Sequence, residues 1–133
     1  MSRALTAGAV YFAAIFAVGF GLGVVRTMLL EPALGPVLAV GVELPVILAT
    51  AWAICRRILA RWPMRLTGAA IMGAIAFALL LLTEAAISLV SGRSIAEHLA
   101  LYARPADQLG LAGQIAFALL PLVQTRRAAR QNR

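Results

Sequence analysis

The chain has 133 residues, of which 62% are hydrophobic and 13% charged, and its mean hydropathy is +0.92. Soluble domains carry roughly 45–50% apolar and about 25% charged residues, so a water-soluble globule and a disordered chain are both excluded. The class implied is an integral membrane protein with room for one helical bundle. Twelve basic and five acidic side chains give a net charge of +7, and all twelve basic residues are Arg. They gather at the ends of apolar runs, where they act as topology signals and lipid-headgroup contacts. A nucleic-acid surface needs a basic face with stacking aromatics, and no such pattern is present, so nucleic acid is not an expected partner.

The first apolar run, Ala4–Val25, has no charge. At about 1.5 Å per residue it crosses a bilayer core of about 30 Å. It lacks a small-residue cleavage signal and reads as a retained first helix. Its Gly19 and Gly23 form a GxxxG pair, the spacing that lets helix backbones approach closely. The contact it serves is open between packing within the chain and homodimerisation. A short turn at Arg26–Glu31 follows, closed by Pro32, and Glu31 is placed to pair with Arg26 or to cap the second helix.

The second run holds one charge, Glu43, and Pro45 lies two residues beyond it. Proline cannot bond to the carbonyl four residues back, so Pro45 frees the carbonyl of Gly41 and predicts a bend. The run ends at Cys55, the only cysteine, which reads as a small buried filler and allows no intramolecular disulfide. Arg56, Arg57, Arg61 and Arg65 come next, with Trp62 as an interfacial aromatic. The third run holds one charge, Glu84, and a small-residue stripe at Ala70, Ala74 and Ala78. Ser94 and Glu97 then match a capping box, and apolar residues recur at helical spacing through Tyr102. This predicts a short amphipathic helix on the membrane surface, ended by Pro105. Its His98 has no spaced partners for a metal. Asp107 is expected to cap the fourth helix, whose 17-residue run Gln108–Gln124 carries Gln114 and Pro121. Pro121 frees the carbonyl of Phe117. A re-entrant or tilted segment is the alternative for this shortest run.

The expected fold is therefore all-α: a four-transmembrane-helix bundle in one domain, with spans at about 4–25, 33–55, 66–91 and 108–124, and a surface helix between the third and fourth. Nine arginines, including Arg126 and Arg127, fall on the side of the termini and three on the other. The positive-inside rule then predicts cytoplasmic termini, in a bacterial inner membrane.

A charge near the bilayer centre costs about 2.5–3.5 kcal/mol on insertion scales, so the span polar groups need partners or water. Counting about 1.5 Å per residue, Glu43, Glu84 and Gln114 lie roughly 14, 12 and 10 Å below the outer face, with Arg26 above them. One shared polar layer is expected, with one of the two acids inclined to hold a proton. Either it holds the bundle together or it binds a cation, a proton or a polar headgroup. No nucleophile–base pair, metal-ligand spacing or phosphate-binding loop appears, so neither an enzyme nor a cofactor is expected. The functional readings are a structural or accessory membrane component, acting with a partner membrane protein or a second copy, and a small oligomeric transporter or channel using Glu43 and Glu84.

The run Arg26-Thr-Met-Leu-Leu-Glu-Pro32, followed by Leu34-Gly-Pro36 and Glu43-Leu-Pro45, resembles small four-helix integral membrane proteins of bacteria that have no known activity. The resemblance implies the four-helix fold and brings no site residues. Small multidrug exporters also have four helices, but they carry their key acid in the first, where this chain has none.

Overall fold

The computed structural model describes residues 1–133. It is all-helical, with four helices long and apolar enough to cross a membrane. Helix α1 spans Ser2–Val25, a π turn covers Arg26–Leu30, and α2 spans Glu31–Leu34. Helix α3 spans Pro36–Arg61 and α4 spans Leu66–Val90. The short α5, Ile95–Ala100, runs into a 3₁₀ turn at Leu101–Ala103, and α6 spans Pro105–Gln131.

The first turn is not where the sequence placed it. α1, the π turn and α2 form one helical segment of 33 residues. Pro32 falls inside this segment, directly after the π turn, and the helix runs on through it to Leu34, so it does not stop the chain. The reversal comes at Gly35, whose φ of 82° suits glycine and few other residues. Pro36 then opens α3, and its fixed φ is already helical. The second span therefore starts at Pro36 and runs on to Arg61. The fourth element is a full helix of 27 residues, which removes the re-entrant alternative.

The spans form a ring in the order α1, α4, α6, α3, with α1 opposite α6 and α3 opposite α4. The chain is thus two antiparallel hairpins, α1–α3 and α4–α6, laid side by side. The linker Trp62–Arg65 crosses between them. We call proximal the end that holds Met1, this linker and Arg133, and distal the end that holds Gly35 and the α5 segment.

Lipid is as apolar as leucine, so burying leucine selects no helix interface; close backbone approach does. A Cβ on Gly8 would lie 2.8 Å from the Met72 carbonyl oxygen of α4. One on Gly73 would overlap the Ala118 carbonyl of α6, and one on Gly113 would overlap the Leu44 side chain of α3. These glycines set three of the four seams. Gly19 meets only Ile47, at 3.7 Å, and Gly23 meets the Arg26 side chain. The stripe Ala70, Ala74, Ala78 is exposed on the outside of the bundle; the packed face of α4 carries Ala69, Met72, Gly73 and Ala76. α4 is apolar all round, so hydrophobic periodicity could not tell these two faces apart.

The core lies in the middle and proximal half. Ala7, Tyr11, Ile15, Ala51, Cys55, Ile58, Met72, Ala76 and Phe117 form one buried cluster, with Trp62 half-buried against it. Tyr11 and Phe117 stack across the diagonal with ring centroids 4.3 Å apart. The Tyr11 hydroxyl donates to the Phe117 carbonyl at 2.8 Å. That carbonyl is the one Pro121 leaves without a helical partner, and a broken bond inside a membrane must be met by a neighbour. Pro121 itself is fully buried. Nearer the proximal end, the Gln124 amide donates to the Trp52 carbonyl at 2.8 Å. Both bonds join one hairpin to the other. Pro45 lies on the exposed side of α3, and both α3 and α6 continue through their prolines.

Candidate functional site: polar clasps in the distal half

The two span glutamates and their side-chain partners lie in the distal half, where the helices bury less. They form two clusters with no hydrogen bond or ion pair between them. In the first hairpin, Arg26 Nε meets Glu43 Oε2 at 2.5 Å, and Arg26 Nη1 donates to Glu31 Oε1 at 2.7 Å. In the second, Gln114 Nε2 donates to Glu84 Oε1 at 2.6 Å. The seams α1–α3 and α4–α6 are opposite sides of the ring. The expectation that Glu43, Glu84, Gln114 and Arg26 share one centre is therefore corrected. Each acid took the partner across its own hairpin seam, and the four groups separated in two pairs.

The π turn builds the first cluster. Residues five apart on an α-helix point about 140° away from each other. The i→i+5 bonding of a π turn brings them toward one face, and the Glu31 N–H does bond to the Arg26 carbonyl. Arg26 can then hold Glu31 and still reach Glu43 on α3. The cluster is partly buried, with Glu43 at 15% side-chain exposure and Arg26 at 28%. One guanidinium serves two carboxylates and leaves a formal charge of −1.

The second cluster has an amide but no arginine. The titratable groups that bear on Glu84 electrostatically are His98 and Asp107. Gln114 Oε1 and His98 Nδ1 are buried without a hydrogen-bond partner. α5 brings His98 there. The predicted capping box is formed in full: Glu97 N donates to Ser94 Oγ at 3.1 Å, and Ser94 N donates to Glu97 Oε2 at 2.7 Å. His98 stands edge-on to Tyr102, with centroids 5.6 Å apart. Desolvation first, then the charges of Glu84 and Asp107, raise the Tyr102 phenol above its ordinary value of 10. Under α5, an apolar groove of about 500 Å³ runs between Leu81, Leu89, Leu99 and Leu111.

Asp107 does not cap α6. The helix begins two residues earlier, at Pro105, with Arg104 at the cap position and no side-chain cap bond. Asp107 sits in the first turn, where its charge still suits the helix dipole, and pairs with Arg104 at 2.9 Å.

The proximal end is electrostatically opposite. Arg3, Arg56, Arg57, Arg61, Arg65, Arg126, Arg127, Arg130 and Arg133 lie there, and all five acids lie distally. The distal half holds three arginines against five acids, a net of −2, and the proximal end holds +9. The guanidinium of Arg127 stands 5.4 Å from the Trp52 ring centroid, within the range of a cation–π contact. The sequence reading singled out neither Tyr11, Gln124 nor Trp52. Tyr11 was legible as the one hydroxyl aromatic inside a span, opposite a carbonyl known to be free.

Fold and polar layout together define a four-span, multi-pass membrane protein. Comparison with family models, with curated proteins and with solved structures finds no match to this chain.

Proposed function

We propose that this protein is a non-enzymatic structural or accessory component of a bacterial cytoplasmic membrane, with both termini in the cytoplasm. The nine-to-three distribution of arginines supports that orientation. One observation carries the functional reading: each span glutamate is turned to a partner within its own hairpin, while Tyr11, Met72 and Phe117 fill the interior nearer the proximal end. Clasps of this kind fix the shape of a bundle. They leave its lipid-facing surfaces, such as the Ala70, Ala74, Ala78 stripe, to meet a partner membrane protein or a second copy.

The test is flux across vesicles reconstituted with the intact chain. Proton and monovalent-cation leak is expected to equal that of protein-free vesicles and to stay so in Glu43→Gln and Glu84→Gln. A flux that Glu84→Gln abolishes in a folded protein refutes the reading in favour of a transporter built on Glu84.

A further inference from the structure

We propose that the proximal end of the α3–α6 seam is a specific site for an anionic phospholipid, whose phosphodiester is held between Arg56 and Arg127. Three observations converge on it. The Arg127 guanidinium is drawn over Trp52 at 5.4 Å from the ring centroid, which lays this exposed side chain against α3. Arg56 follows Trp52 by four residues, so it stands on the same helix face one turn nearer the end. Neither arginine has a carboxylate partner, because all three salt bridges involve only Arg26 and Arg104.

Arg127 stands at the seam and Arg56 on the adjoining face of α3, both exposed, in a half of the molecule that holds no acid, so an anion arriving there meets no competing carboxylate. Planar forks of donors match phosphate oxygens in pairs. The surroundings decide between a lipid and a soluble anion. One and two turns back from Arg127 on α6 lie Val123 and Leu119, exposed at 39% and 50%. They continue the Arg127 face toward the middle of the bilayer, which is the path of an acyl chain below a headgroup. The Gln124–Trp52 carbonyl bond, at 2.8 Å, pins the two helices beneath it. The seam is therefore fixed in width before the lipid arrives.

The experiment uses the full chain, delipidated in micelles and titrated with short-chain phosphatidylglycerol or phosphatidylcholine, with bound lipid counted by native mass spectrometry. Phosphatidylglycerol is expected to bind at least ten-fold more tightly than phosphatidylcholine. Arg56→Ala and Arg127→Ala should each remove most of that preference, whereas Arg3→Ala and Arg133→Ala, which change the net charge equally, should keep it. In a Trp62→Phe protein, Trp52 is the sole tryptophan, and its emission should change on adding phosphatidylglycerol and stay constant in the Arg127→Ala background. Equal losses across all four arginine variants overturn the proposal, since bulk charge then explains binding. Displacement of phosphatidylglycerol by an equal concentration of inorganic phosphate overturns it too.

Discussion

The bond from Tyr11 to the Phe117 carbonyl is the sharpest place to perturb the bundle, because a proline explains why that carbonyl needs a partner. Tyr11→Phe removes one oxygen and keeps the ring, so the 4.3 Å stack on Phe117 survives. What is lost is a buried 2.8 Å hydrogen bond to an acceptor that Pro121 cannot serve. An acceptor left unpaired in a protein interior costs about 1–3 kcal/mol. Interhelical bonds in membranes average about 0.6 kcal/mol and reach about 1.7, because displaced groups often find other partners. Here the surrounding side chains are apolar, so a loss near the upper end, about 1.5 kcal/mol, is expected. The decisive comparison is the same substitution made in a Pro121→Ala protein. Alanine restores an N–H to bond the Phe117 carbonyl, and the Tyr11→Phe cost should then fall to about 0.5 kcal/mol or less. The difference is a coupling of about 1 kcal/mol, within reach of a double-mutant cycle. Reversible unfolding in mixed micelles, followed by circular dichroism over an SDS titration, measures it. A Tyr11→Phe cost that is the same with and without Pro121→Ala refutes the reasoning.

Three further outcomes follow from the packing and the charge layout. Gly73→Ala drives a methyl into the Ala118 backbone carbonyl and should cost at least the ~1–3 kcal/mol of overpacking, seen as lost monodisperse protein in size-exclusion chromatography. Gly41→Ala meets nothing within 4 Å and should be neutral or stabilising. In a Tyr11→Phe protein, ultraviolet titration of Tyr102 should give a pKa above the ordinary 10, and Glu84→Gln should bring it down by removing a nearby negative charge. Because folding raises this pKa, its contribution to stability is complete below pH 10 and is lost as pH rises through the raised value.

The four spans were legible because length and hydropathy are physical requirements of a bilayer and stand in the sequence directly. The capping box at Ser94 and Glu97 was legible for a similar reason: the signal is local, and so is the structure. Which faces meet was not. On α4 the stripe at Ala70, Ala74, Ala78 and the one at Ala69, Gly73, Ala76 are both small and apolar, and only three-dimensional closure selects the second. The site was half legible. Arg26, Glu43, Glu84 and Gln114 are the costly span groups, and all four are engaged, but their pairing depended on which helices are neighbours in the ring. The π turn was hidden too, since nothing in Arg26–Leu30 distinguishes five-residue from four-residue bonding until Glu31 and Glu43 compete for one guanidinium.

The claim that each hairpin closes on its own polar pair is tested most directly by double-mutant cycles on unfolding stability, with alanine substituted at Arg26, Glu43, Glu84 and Gln114. Arg26 with Glu43, and Glu84 with Gln114, should each show a coupling of about 1 kcal/mol, while Glu43 with Glu84 should add to within about 0.5 kcal/mol. A strong coupling between Glu43 and Glu84, with none inside the hairpins, contradicts the account and returns the four groups to a single centre.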